Sequence, residues 1–175
     1  MRTRTELERL LLESPPLPRD RGRIDLLVIR RSPGEHETPA RVEVTREHGM
    51  AGDRWDDGFA WMRDPDRQLT LMMTRVAELV CDGQPLHLPG DNLLVSLDLG
   101  PDALPIGSRL RAGEALIEVT RKPHNGCKKF LARFGADALE WVNDERGKAR
   151  KLRGVNCRVI EPGIIGVGDS IEIVR

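Results

Sequence analysis

The stretch TRKPHNGCKKFLARFG, residues 120–135, places Cys127 where a strand, a turn and a helix are expected to meet, with cations on both sides. The alternating, β-branched run from Ala115 to Thr120 stops at Arg121-Lys122-Pro123, because proline removes a backbone donor and biases Lys122 away from helical angles. His124-Asn125-Gly126 is turn chemistry. Phe130, Leu131 and Phe134 then recur as one face of a short helix, with Gly135 as its C-terminal stop. Cys127 is therefore expected in the first turn of that helix. Free N–H groups and the helix dipole favour an anion there. Arg121, Lys122, Lys128, Lys129 and His124 add positive charge nearby. Both effects favour thiolate, the form that attacks sulfur, carries sulfur or ligates a metal.

The other cysteines read differently. Cys81 in TRVAELVCDG and Cys157 in VNCRVIE sit in apolar, periodic surroundings, where a cysteine acts as a small hydrophobe. His124 and Cys127 have the spacing of half a zinc site. Zinc takes about four ligands, and His36, His48 and His87 are scattered singly, which argues against it.

Composition bounds the rest. At 175 residues and 19.7 kDa the chain suits one domain with a real core. Three Trp, three Phe and no Tyr leave few platforms for stacking bases, so nucleic acid is not expected as a partner. No run approaches the roughly 18 apolar residues of a membrane span. The charged N-terminus does not read as a secretory signal. Three irregularly spaced cysteines point to a reducing compartment, and cytoplasm is the expected location. Net charge is zero, yet residues 121–153 hold ten Lys/Arg against four Asp/Glu. Such a local excess around the thiol suits an anionic ligand, with phosphate the commonest. The segment RGKARKLRG (146–154) is equally well read as a solvated basic loop.

The elements that must position Cys127 are mostly short strands. Residues 3–14 form an amphipathic pattern with Leu7, Leu10 and Leu11 on one side, and SPPLPRDRG is a proline-rich linker. RIDLLVIRR, ARVEVTR, QLTLMM, NLLVSLDL, SRLRAG, ALIEVTR, VNCRVIE and SIEIVR then read as strands, with helices expected at 74–81, 128–134 and 136–146. Many short strands between Gly, Pro and Asp turns indicate a mainly β, barrel-like α+β fold. Gly52-Asp53, Gly90-Asp91 and Gly168-Asp169 read as corner turns, and Asp53 and Asn92 are also candidates for the mouth of a pocket.

In this order the segments resemble the MOSC family, named after the C-terminal domain of molybdenum-cofactor sulfurase. GRIDLLVIRRSPGE (22–35) looks like its opening strand, and EHGMAGDRW (47–55) like its Gly-x-x-Gly-Asp element. LPGDNLLVSLDL (88–99) resembles its Gly-(Asp/Glu)-Asn-Leu strand. Residues 104–135 match its strand–Pro–Cys–helix unit, and 152–174 its closing Arg-Gly, Gly-x-(Ile/Val) and Gly-Asp strands. The resemblance places a MOSC domain over 22–175, preceded by a helix and linker over 1–21.

The resemblance implies a mixed, barrel-like sheet and a cysteine, here Cys127, that carries persulfide sulfur or ligates molybdenum. It implies the molybdenum cofactor, a phosphorylated pterin dithiolene, held by Arg121, Lys122, His124, Asn125, Lys128, Asp53, Asn92 and Arg153. Some family members reduce N-hydroxylated substrates, so an oxidoreductase fed by a separate redox partner is the leading expectation. A sulfur or cofactor carrier working with a cysteine desulfurase is the alternative. The family is associated with pyridoxal phosphate through the desulfurase domains of longer members, and no such domain is expected here. Nor is there a ferredoxin-type cysteine cluster, so electrons or sulfur are expected from another protein.

Overall fold

The computed structural model describes residues 1–58 and 63–174. Helix α1 (Arg4–Glu13) begins at a reciprocal cap. The Thr3 hydroxyl accepts from the Glu6 N–H, and the Glu6 carboxylate accepts from the Thr3 N–H at 2.7 Å. Its apolar side is the expected one: Leu7 is buried, and Leu10 and Leu11 pack against the same core.

The strands follow as β1 (Arg21–Leu27), β2 (Ile29–Ser32), β3 (Glu35–Glu37), β4 (Arg41–Thr45), β5 (Gly49–Met50) and β6 (Leu69–Met73). After helix α2 (Thr74–Cys81) come β7 (Leu93–Val95), β8 (Arg109–Ala112) and β9 (Ala115–Val119). Helices α3 (Lys128–Asn143) and α4 (Glu145–Ala149) precede β10 (Val155–Glu161), β11 (Gly163–Gly166) and β12 (Ser170–Val174). Arg175, the last residue of the expected closing strand, lies outside the described residues.

Seven strands close a barrel in the order β1-β12-β8-β9-β10-β6-β7, with β7 returning to β1. All pairs are antiparallel except β6 and β7. A parallel pair cannot be joined by a hairpin, and α2 is the crossover that joins this one. Its apolar face, Val76, Ala77, Leu79 and Val80, is buried. The strands β11-β4-β5 form a second sheet, and β2-β3 a separate hairpin. The fold is therefore mainly β with short helices around a closed mixed barrel.

Several expected elements differ in extent. RIDLLVIRR is two strands, not one. The chain leaves the barrel at Val28, whose N–H donates to the Asn92 carbonyl, and continues as β2 toward the site. NLLVSLDL pairs only over Leu93–Val95. There the Gly22 backbone comes so close to Ser96 that a Cβ would lie 2.2 Å from its carbonyl oxygen. The short strands β3 and β5 were not anticipated, since two or three residues carry too little alternation to register, whereas β11 falls on the Gly-x-(Ile/Val) strand that the family resemblance implied. Gly135 interrupts α3 with φ 84°, as its position suggested. The second half ends at Asn143, because the Asp144 side chain caps α4 by accepting from the Gly147 N–H. Phe130 and Phe134 are buried, whereas Leu131 is 40% exposed. It follows Phe130 by one residue, about 100° round the helix, and misses the core.

Candidate functional site around Cys127

The loop between β9 and α3 is fastened at both ends. Asn156 on β10 donates its Nδ2 to the carbonyls of Lys122 (3.1 Å) and Pro123 (3.2 Å). Thr120 donates its hydroxyl to the Asp66 carbonyl at 2.7 Å. At the other end Asn143 brackets Gly126, accepting from its N–H at 2.8 Å and donating to its carbonyl at 3.0 Å. A Cβ on Gly126 would lie 2.7 Å from Leu139 Cδ1, so only glycine fits this approach. Two strands and the far end of α3 thus hold the loop that carries the thiol.

Cys127 is the N-cap of α3, one residue before the expected first turn, with extended backbone angles. It is exposed, whereas Cys81 and Cys157 are buried. Partial burial pushes its pKa up, but the N–H groups of Phe130 and Lys129 and the charges of Arg153 and Lys129 outweigh this and leave it lowered. The sulfur makes no full capping hydrogen bond; the amides act by facing it. Burial pushes the Cys81 thiol up to about 12 and raises Cys157 further. One thiol of three is chemically available.

Two buried carboxylates frame the site. Asp91, with no side-chain exposure, receives Arg153 NH1 on one oxygen at 2.5 Å and His124 Nε2 on the other at 2.6 Å. Burial opposes its ionisation, yet Arg153 and His124 hold its pKa below the usual value. Arg153 also donates to the Pro89 carbonyl and lies 5.2 Å above the Phe130 ring, while its buried Nε has no partner. Asp53, likewise without exposure, receives Arg30 Nε at 2.9 Å, Arg30 NH2 at 2.7 Å and the Arg30 main-chain N–H at 2.8 Å. Asn92 donates to Asp53 at 3.1 Å and accepts from the Thr70 N–H. Gly52 and Gly90 each take φ 79°, which turns the following aspartate inward. Gly168-Asp169, by contrast, is a plain turn in which Asp169 accepts from the Gly166 N–H.

Beside this frame lies a recess of about 520 Å³, lined by Arg30, Arg54, Arg67, Trp55, Thr70, His124, Asn125 and Asn156 among others, with no carboxylate among the described residues of its wall. Cys127 follows the lining residue Asn125 by two positions and is within electrostatic reach of Arg54, so the thiol lies near the recess without being part of its described lining. Burial, Arg30 and Arg133 all depress the Arg54 pKa, and Asp53 offsets them only in part. Of the three wall arginines, Arg30 is paired with Asp53 and Arg67 with Asp64 at 3.8 Å. Two larger depressions, about 640 and 700 Å³, flank α1 and are lined by neither His124 nor Cys127.

The expected site residues divide into three groups. His124 and Asn125 line the recess, and Cys127 lies near it, outside the described lining. Asp53, Asn92 and Arg153 lie buried behind it rather than at a mouth, and hold the groups that line it. Arg121 and Lys128 are exposed and outside the described lining, and Lys122 pairs with Asp64 at 3.0 Å. The basic segment 146–154 is mostly directed elsewhere: Arg150 meets Glu8 on α1 at 2.7 Å. Sequence reasoning missed Arg30, Arg54, Arg67, Trp55 and Asn156. The signal was present only for Arg54-Trp55, which directly follow Gly52-Asp53.

The geometry carries a thiol of lowered pKa, a fixed arginine frame and a closed mixed barrel. The MOSC domain family profile matches residues 66–172, most of the chain, including β6 through β12. The chain belongs to the MOSC domain family. No curated protein matches its sequence significantly. Solved structures show the same fold. A protein described as hypothetical is 22% identical with TM-score 0.64, covering 89% of this chain and 69% of that one. YiiM from Escherichia coli is 24% identical with TM-score 0.59, covering 87% and 70%. YuaD from Bacillus subtilis is 16% identical with TM-score 0.58, covering 90% and 98%. MOSC domains are associated with binding of the molybdenum cofactor. In this one no helix among the described residues is long and apolar enough to cross a membrane.

Proposed function

We propose that this MOSC domain holds the molybdenum cofactor in the arginine-lined recess, with Cys127 as the protein ligand to the metal. We further propose that the loaded protein reduces N-hydroxylated substrates with electrons from a separate redox protein. The observation that carries the reading is the Cys127 thiol: exposed, lowered in pKa, and two residues beyond Asn125, which lines a recess whose described wall holds three arginines and no carboxylate. The residues fit the group. A soft thiolate suits a sulfur-bound metal centre, guanidinium groups suit a phosphate, and about 520 Å³ is within the usual range for a bound cofactor. The orphaned Nε of Arg153 is a further donor behind the thiol.

When bound, the cofactor would supply two-electron redox chemistry. The chain's own residues do the rest. Arg30 is pinned by Asp53 and keeps its guanidinium at the wall. Arg54 and Arg67 add charge for an anionic group, and Arg153 with the α3 amides shifts the thiol toward thiolate.

A second reading is a carrier that takes persulfide sulfur or cofactor on Cys127 and passes it to a partner enzyme. The exposure of Cys127 favours it, since a transferred atom must be reachable. Protein expressed in a host that makes the cofactor separates the two. Near-stoichiometric molybdenum with turnover of an aryl hydroxylamine supports the reductase. Transfer of cargo to an acceptor without turnover supports the carrier. Neither molybdenum nor sulfur on the purified protein sinks both.

A further inference from the structure

The Asp91 carboxylate, buried against Arg153, is ionised and can only accept hydrogen bonds. The ring nitrogen of His124 that faces it at 2.6 Å must therefore be the donor. This fixes the tautomer of the neutral imidazole: Nε2 carries the proton, and Nδ1 keeps its lone pair. With Nε2 turned inward to Asp91, the opposite ring edge is the one left to face the recess that His124 lines.

The rest of the described wall cannot exchange a proton near neutral pH. Arg30, Arg54 and Arg67 stay charged, and Trp55, Thr70, Asn125 and Asn156 do not titrate there. His124 is the one described lining group able to carry a proton in and out. We propose that His124 is the proton donor to the substrate bound beside the cofactor at the recess, and that Asp91 is its positioning residue. The proposal rests on the reductase reading above.

Burial, then Arg153 and Arg30, disfavour the imidazolium, and Asp91 restores part of it. Arg54 and Arg67 on the wall add further positive charge, and no acid but Asp91 faces the ring. The cation is thus a stronger acid than an ordinary histidine and gives up its proton readily. Reduction of an N-hydroxyl compound breaks the N–O bond and consumes two electrons, from the redox partner, and two protons. His124 delivers one proton to the departing oxygen, which leaves as water. The second proton, from solvent, completes the N–H bond of the amine. His124 is recharged from solvent through Nδ1.

The test uses cofactor-loaded protein and an aryl hydroxylamine. His124→Gln should keep its molybdenum while kcat falls about 100-fold, the range of general acid catalysis. In the wild type kcat should fall with rising pH along a limb centred below about 6.5, and the variant should lose that limb. Turnover in His124→Gln with the limb intact overturns the assignment of His124 alone. Absence of turnover in loaded wild type overturns the reductase reading and the catalytic role together. A readout independent of activity and of variant folding is nitrogen-15 NMR of the cofactor-free wild type. Nε2–H with titration below about 6.5 is expected, and an Nδ1–H tautomer overturns the proposal.

Discussion

Asp53 and Arg30 form a two-point ion pair with N–O distances of 2.9 and 2.7 Å, in which the carboxylate has no exposure and the guanidinium little. The pair ties the corner after β5 to the start of β2, and Arg30 reaches the recess from that anchor. Removing one partner of a buried pair leaves an uncompensated charge and costs roughly 3–5 kcal/mol. Asp53→Ala should lose about that much in urea unfolding. A loss under about 1 kcal/mol, the range of exposed pairs, would show that the clamp is not structural.

Anion binding should depend on the recess arginines. Arg54→Ala and Arg67→Ala should each reduce cofactor retention on gel filtration while the melting temperature changes little. Arg121→Ala should have a smaller effect, because Arg121 is exposed and outside the described lining. Equal losses from all three variants would point to a diffuse charge effect rather than a built site.

Acid sensitivity should begin in the histidine range. His124 titrates lower in the fold than in the unfolded chain, chiefly because burial and Arg153 disfavour its cation. Below about pH 6.5 the unfolded state takes up a proton that the fold refuses, so stability falls as pH drops toward the folded value. His36 is shifted the same way. Asp53 and Asp91, lowered in the fold, lose their contributions only as pH falls below about 4. Urea unfolding at about pH 7.5 and 5.5 should show wild-type stability declining, and His124→Gln should decline less. An equal decline in both would place the titration elsewhere.

One cysteine should alkylate in the native protein. Cys127 should react with iodoacetamide along a curve centred below about 8.5, while Cys81 and Cys157 stay protected until unfolding. Intact-mass measurement against pH reads both. A curve centred at or above that value would mean the helix amides and Arg153 do not favour thiolate.

The thiol was legible in the sequence because local chemistry marks it: Pro123, the Asn125-Gly126 turn and the Phe130/Phe134 spacing all lie within a few residues. The barrel was legible for a similar reason, since alternation and Gly-Asp corners are local patterns. Arg30, Arg67 and Asn156 were not legible. An arginine looks alike in sequence whether it faces solvent or a recess, and these three residues come from β2, from the turn before β6 and from β10, which only the tertiary fold brings together. Charge counting likewise marked residues 121–153 as basic. Arg150, just past α4, is instead taken up by Glu8 on α1, which no local pattern reveals.

The claim that Cys127 holds the cargo is tested most directly by molybdenum content in Cys127→Ser and Cys157→Ser, both expressed in a cofactor-producing host. Serine keeps the size of Cys127 at an exposed helix cap, so unfolding should shift by no more than about 0.5 kcal/mol. A neutral hydroxyl is a hard group that neither forms a persulfide nor replaces thiolate at a soft metal centre. Cys127→Ser should therefore fold normally, with molybdenum, sulfur loading or both lost. Cys157→Ser should retain its cargo. Full loading and activity in Cys127→Ser, with loss in Cys157→Ser, would contradict the account.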